Sequence, residues 1–155
     1  MTPAVLVMWE DWADCALPLP AYQTAGSAGA DICANLPPEL RAGGITLEPM
    51  QRLVVPTGIR VAIPSGYEMQ IRPRSGLATR HGITLPNTPG TIDSDYRGPL
   101  GVALVNLGAT PYTIHHGDRV AQCVVAPVVQ VGYQVVETLD ETGRGHGGFG
   151  STGRR

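Results

Sequence analysis

The sequence predicts an all-β domain of the sandwich, jelly-roll or barrel kind with one short helix. Three observations carry that expectation. Glycine (20) and proline (14) are dense and evenly spread, which leaves little room for long helices. Short β-like runs lie between them. Turn-forming residues recur about every 8–12 residues, the spacing seen in sandwiches and barrels. At 155 residues, 43% apolar and 15% charged, the chain reads as one globular domain without linker or repeat.

The apolar run Ala4–Trp9 inside Met1–Glu10 lacks a basic flank and is far too short to cross a bilayer, so it reads as a strand. Trp9 and Trp12 are expected to pack near it. Ile59–Ile63 and Tyr67–Arg72 alternate apolar and polar residues with period two, as half-buried strands do. Val102–Leu107 and Val120–Val125 are more continuously apolar, as strands covered on both faces would be. Between them, Pro73-Arg74-Ser75 precedes Gly76–His81, and Gly82 follows. That order predicts a short helix with Ser75 as N-cap and Gly82 past its end. The open N–H groups of its first turn would favour an anion. Gly90–Gly98 reads as a β-hairpin with a polar tip, Asp93-Ser94-Asp95-Tyr96-Arg97. An ordinary polar hairpin remains an equal reading of these residues alone. After Pro127, the β-rich run Val128–Val136 could complete its own sheet or a neighbour's.

Composition excludes several functions. A net charge of −2 supplies no basic field for nucleic acid or an anionic membrane. Cys15, Cys33 and Cys123 are odd in number and widely spaced, which suits reduced thiols in a cytoplasm better than a disulfide frame or a zinc site. All eleven basic residues are arginine. A Lys-based catalyst or phosphate-loop lysine is therefore excluded, and any cationic phosphate contact must come from Arg. His115 and His116 would face opposite ways in a strand, and His81 ends the predicted helix, where a cation is favourable. His146 is expected to have no catalytic role.

Residues 144–155 read Arg-Gly-His-Gly-Gly-Phe-Gly-Ser-Thr-Gly-Arg-Arg and contain the single Phe of the chain, Phe149. Such a glycine-rich segment forms neither helix nor strand readily. Its arginines, hydroxyls and open N–H groups suit a flap closing over a phosphate-bearing ring compound. A plain disordered tail is the bland alternative. Gly145–Gly150 also fits the G-x-G-x-x-G pattern of dinucleotide-binding folds, but no helix can follow it and no acid lies downstream.

Five segments in series give these pieces a common meaning: Ala28-Gly29-Ala30-Asp31; Pro73-Arg74-Ser75-Gly76; Gly90–Gly98 with Asn87 before it; Gly117-Asp118-Arg119-Val120-Ala121-Gln122; and Arg144–Gly153. In order and over nearly the whole chain, they resemble the trimeric dUTP diphosphatases. The resemblance implies a jelly-roll-like domain over residues 1–143, a flexible flap over 144–155, and a cytoplasmic homotrimer with an exchanged C-terminal strand. It implies hydrolysis of dUTP to dUMP and pyrophosphate with Mg²⁺, limiting uracil in DNA and supplying dUMP for dTMP synthesis. Each site would draw its first, second and fourth segments from one subunit, its third from another and its tail from the last.

The resemblance also distributes roles. Asp93 would be the base that activates water, with Asp95 a turn carboxylate. Tyr96 would pack under the deoxyribose and leave no space for a 2′-hydroxyl. Asn87 would match the uracil edge, and Phe149 would cover the ring. Arg74, Ser75, Gly76 and Gln122 would hold the phosphate chain; Arg144, Ser151 and Thr152 would close on the γ-phosphate. Asp31 would act on Mg²⁺ through water. Asp118 and Arg119 are expected to be structural charges, as an interface pair. Two alternatives stand beside this: a dCTP deaminase, which resembles the family in fold but typically has a second serine where Gly76 stands and lacks such a tail, and a non-enzyme nucleotide-sensing trimer that binds without turnover, in which a base such as Asp93 would be lost.

Overall fold

The structure is a computed structural model and describes residues 3–149 and 151; Thr152 lies outside the described residues. In chain order the elements are β1 (Leu6–Trp9), β2 (Ala30–Cys33), β3 (Ile45–Leu47), β4 (Arg52–Ala62), β5 (Tyr67–Arg72), α1 (Ser75–His81), β6 (Ile83–Thr84), β7 (Gly90–Ile92), β8 (Pro99–Asn106), β9 (Tyr112–Ile114) and β10 (Arg119–Pro127). One antiparallel sheet has the order β1-β4-β8-β6 and a second has β2-β10-β5-β7, while β3 pairs with β9 alone. No two neighbours in these sheets are consecutive strands of the chain. The result is the jelly-roll-like β fold with one short helix that the sequence predicts.

Period-two patterning explains which faces meet. In β5, Met69 and Ile71 are buried, while Glu68, Gln70 and Arg72 form a side-chain ladder on the other face. Gln70 Nε2 donates to Glu68 Oε1 at 2.7 Å, and Arg72 Nη2 donates to Gln70 Oε1 at 2.6 Å. In β8, Leu100, Val102 and Leu104 enter the core. These residues join Ile32, Leu36, Leu47, Val55, Ile114 and Val120 in one apolar cluster between the sheets. The expectation that β8 is covered on both faces holds only at its end: Gly101 and Ala103 are half-buried, Val105 and Asn106 are buried, and Leu107 lies past the strand and is exposed. In β10, Val120, Ala121 and Cys123 are buried and Val124 and Val125 are half-covered.

Two expectations need correction, and the reading of Val128–Val136 narrows to the neighbour's sheet. Arg74, not Ser75, is the N-cap of α1, with extended backbone and no side-chain cap bond; Ser75 is already helical. The helix thus begins one residue earlier than a serine cap would start it, and Arg74 is the last extended residue before it. Gly82 does close the helix, in the left-handed conformation (φ 71°), and its N–H reaches the Ala78 carbonyl. The Gly90–Gly98 segment is not a hairpin. β7 pairs with β5 in one sheet and β8 with β4 in the other, so the Asp93–Gly98 loop crosses between sheets. Finally, Val128–Val136 forms no strand within the chain. Val129, Tyr133 and Val135 are 85%, 97% and 98% exposed, so this apolar run has no covering in a single subunit.

The ladder between β4 and β8 slips between Pro56 and Arg60. Pro56 has no N–H to give, and the slip leaves the Leu100 carbonyl without a ladder donor. The Thr57 hydroxyl, itself buried, donates to that carbonyl at 2.5 Å. Gly58, with φ 71°, completes the bulge; a Cβ there would meet the Asn35 amide at 2.8 Å.

The N-terminal segment is tied to the body by polar contacts. The ring nitrogen Nδ1 of His116 accepts the Leu36 N–H at 3.0 Å, which puts the proton on Nε2, 3.1 Å from Asp14 Oδ2. Arg41 donates to the carbonyls of Leu36 and Trp12 at 2.9 and 2.8 Å. Of the two adjacent histidines, His116 orients Asp14 while His115 is exposed. All three cysteines are free, and burial pushes the Cys123 thiol up to about 11. Trp9 lies in β1 against the core, as expected, and Trp12 follows it.

Candidate active site

The first group of candidate residues sits where β2, β10 and the β5–α1 connection meet. The register places Gln122 opposite both Asp31 and Arg72. Gln122 Nε2 donates to the Pro73 carbonyl at 2.9 Å, which ties β10 to the turn entering α1. Gly29 makes this possible, since a Cβ there would come within 2.9 Å of the Gln122 amide carbon. Arg74 leaves the turn toward Asp31, with its Nε 3.5 Å from Oδ1, and its Nη1 donates to the Arg119 carbonyl at 2.9 Å. Arg119 donates from Nη1 to Asp31 Oδ2 at 3.0 Å. Asp31 is thus clasped by two guanidiniums and only 12% exposed at its side chain.

Within one chain Asp118 and Arg119 do not pair with each other. Asp118 Oδ2 accepts the His115 backbone N–H at 2.8 Å, while Arg119 takes Asp31. Alternation along the strand sends the two adjacent side chains to different neighbours. Ser75 and Gly76 stand exposed in the first turn of α1, and the space at Gly76 is open, with no atom within 4 Å of a Cβ added there. The face presents an arginine, a hydroxyl, an amide and uncovered backbone N–H groups, a chemistry suited to phosphate oxygens.

The second group occupies the loop between the sheets. Asp93 and Tyr96 line a cleft of about 390 Å³ with Ile92, Leu100, Gly101 and the N-terminal Glu10 and Trp12. Tyr96 N–H donates to the Asp93 carbonyl at 3.2 Å. Arg97 Nη1 reaches the carbonyls of Ser94 and Tyr96, both at 2.7 Å, and holds the turn closed. Tyr96 folds back to donate its hydroxyl to the Pro99 carbonyl at 3.0 Å. Only glycine at 98 leaves room for that ring: a Cβ would lie 2.6 Å from Tyr96 Cζ. Asn87 lines an adjoining hollow with Gly90, Thr91 and Gly101. Asp95 faces the other side of the loop, beside Ser65 and Glu68; Asp93 borders both clefts.

The tail joins neither group. Arg144 Nε donates to the Gly147 carbonyl at 2.8 Å and Ser151 N–H to that of Gly148 at 3.0 Å, so its bonds are internal turns. Phe149 is fully exposed, with φ 50°. Among the described residues no hydrogen bond or ion pair joins the three groups to one another. Sequence reasoning missed the Arg119–Asp31 contact, which spans 88 positions, and the Glu10–Arg60 pair at 2.7 Å beside the cleft. Neither has a local signal.

These positions can be set beside known proteins. The family model described as dUTPase matches residues 16–153. The deoxyuridine 5′-triphosphate nucleotidohydrolase of Dinoroseobacter shibae is 64% identical over 154 residues, 99% of each chain. That of Roseobacter denitrificans is 62% identical over 147 residues, 95% of this chain and 94% of its own. The Staphylococcus bacteriophage 80alpha dUTPase solved with dUPNHPP superposes with a TM-score of 0.82 at 26% identity, covering 98% of this chain and 99% of its own. A full-length match at such identity, on a fold that presents the five segments in the same order, means that the chain belongs to the dUTPase family.

Proposed function

We propose that this protein hydrolyses dUTP to dUMP and pyrophosphate by in-line attack of water on the α-phosphorus. The observation that carries the reading is the cleft where Asp93 and Tyr96 stand together, in a chain 64% identical over 154 residues to a deoxyuridine 5′-triphosphate nucleotidohydrolase. Asp93 takes the proton of the attacking water. Tyr96 packs under the deoxyribose, and its fixed ring excludes a 2′-hydroxyl sterically. Asn87 has a donor and an acceptor for the uracil edge, and close backbone at Gly90 and Gly101 excludes the thymine methyl.

Arg74, Ser75, Gly76 and Gln122 hold the phosphates. The carbonyl bonds that anchor Arg74 and Gln122 keep these groups in place before substrate arrives, the arrangement electrostatic stabilisation needs. Arg144, Ser151 and Thr152 close on the γ-phosphate, and Phe149 covers uracil. Residues 1–143 then form the catalytic β domain and residues 144–155 the flap.

Mg²⁺ fits this site in one way. Among the described residues no group of three or more His, Cys, Asp or Glu side chains could hold a metal. Mg²⁺ usually keeps several waters and relies on few carboxylates plus the substrate's phosphates. Asp31, whose oxygens retain lone pairs beyond the two guanidinium contacts, suits a water-mediated partner. Bound there, the ion would neutralise phosphate charge.

We place the enzyme in a homotrimer in the cytoplasm. The separation of the three residue groups and the uncovered Val128–Val136 run support a site shared between subunits, with that run exchanged as a strand. No helix among the described residues is long and apolar enough to cross a membrane. Pyrophosphate release from a nucleotide panel tests the reading: dUTP should turn over rapidly, and dTTP, dCTP and UTP poorly. Comparable turnover of dTTP or UTP would remove the pocket argument, and ammonia from dCTP would replace the reaction with deamination.

A further inference from the structure

Arg119 touches none of the atoms assigned to substrate, yet it holds both things that hold Arg74. Its carbonyl accepts from Arg74 Nη1 at 2.9 Å. Its guanidinium Nη1 donates to Asp31 Oδ2 at 3.0 Å, while the other oxygen, Oδ1, lies 3.5 Å from Arg74 Nε. The carboxylate is largely covered, whereas the Arg119 and Arg74 side chains keep 45% and 29% of their exposure. A covered carboxylate seeks its charge partners strongly. It has two here, and the shorter contact is to Arg119.

The geometry points to Arg119 as a positioning residue for phosphate binding: by occupying Asp31, it keeps the Asp31–Arg74 contact long and leaves Arg74 free to donate to the phosphate chain. The inference rests on the dUTP reading and deepens it. Without the Arg119 cation, Asp31 has only Arg74 as a partner within ion-pair distance and draws it inward. A ligand phosphate must then compete with an internal carboxylate for the same N–H groups. The loss falls on phosphate contacts present in both the bound and the reacting states, so it belongs in KM rather than kcat.

The Arg119 contact is one N–H on one oxygen, not a two-pronged pair. An ammonium can replace it, and a neutral amide cannot. The test compares the full-length protein with Arg119→Gln, Arg119→Lys and Asp31→Asn, alone and combined, after each is checked for unaltered assembly and melting. Binding of dUPNHPP and of dUMP is measured in EDTA and with Mg²⁺, alongside KM and kcat for dUTP. Arg119→Gln should weaken dUPNHPP by about tenfold, the range of a hydrogen bond to a charged group, in EDTA as well as with Mg²⁺. It should weaken dUMP much less and raise KM with kcat nearly unchanged. Arg119→Lys should restore most of the affinity. In the Asp31→Asn background Arg119→Gln should add little, because the path through the carboxylate is already cut. Equal weakening of dUMP and dUPNHPP, an effect seen only with Mg²⁺, failure of lysine to rescue, or full additivity with Asp31→Asn would each overturn the assignment. If the unaltered chain bound dUPNHPP normally and Arg119→Gln did too, only this inference would fall. No binding by the unaltered chain would remove the dUTP reading with it.

Discussion

At the scale of single residues, the account depends on Asp93 being the base. Asp95 is two positions away and faces a different cleft. Asp93→Asn keeps the size and removes the basic oxygen. Turnover should fall about 10²- to 10⁴-fold, the usual worth of a positioned general base, while dUPNHPP binding survives. Steady-state kinetics beside a binding isotherm check this. Asp95→Asn should be mild, and the reverse order would exchange the two roles. A second residue-scale prediction concerns acid. The Ala16 N–H, followed by the His116 contact, holds the Asp14 carboxyl below its ordinary value. A carboxyl lowered in the folded state stabilises the fold above its unfolded pKa of about 4 and loses that contribution as pH falls through the lower folded value. The urea midpoint should therefore drop on acidification below about pH 4, and Asp14→Asn should flatten that part of the profile. Asp93, Tyr96 and Arg74 could be singled out as candidates in the sequence because they sit in short segments of recognisable order. The partner of Arg119 could not, because Asp31 lies 88 positions away and no local pattern links the two.

At the scale of elements, strands with clear period-two patterning were legible: β5 and the later half of β4 lie where their alternation predicts. The Gly90–Gly98 segment shows what local pattern cannot decide. Two β-like runs around a polar turn have the same signature whether they pair with each other or leave for different sheets. Here the non-local ladders β5–β7 and β4–β8 decide it. The consequence is functional, because a sheet-crossing loop opens the cleft that Tyr96 and Asp93 line. The serine cap failed for a related reason: the residue types fitted, but the helical conformation starts one residue sooner, at Ser75, and Arg74 is left as the cap. The β4 bulge makes a prediction of its own. Thr57→Val keeps the shape and leaves the Leu100 carbonyl without its donor. It should cost about 1–3 kcal/mol, as a buried acceptor left unsatisfied does. Denaturant unfolding measures that cost. Because Leu100 also lines the Asp93–Tyr96 cleft, KM for dUTP should rise in the same variant.

At the scale of the whole molecule, no hydrogen bond or ion pair among the described residues joins the three residue groups within a single chain, and Val129, Tyr133 and Val135 stand open. Composition made the apolar run legible, but local pattern does not decide which sheet it joins. If sites are shared, Asp93→Asn chains and chains cut before Arg144 should each be nearly inactive, and mixed trimers should regain activity. Activity assays after confirmed subunit exchange check this, and no recovery would count against shared sites. The central claim, attack of water at the α-phosphorus of dUTP, is tested most directly by running turnover in ¹⁸O-labelled water and weighing both products. The account predicts one ¹⁸O in the phosphate of dUMP and none in the pyrophosphate. Label in the pyrophosphate, or release of orthophosphate in place of pyrophosphate, would contradict it.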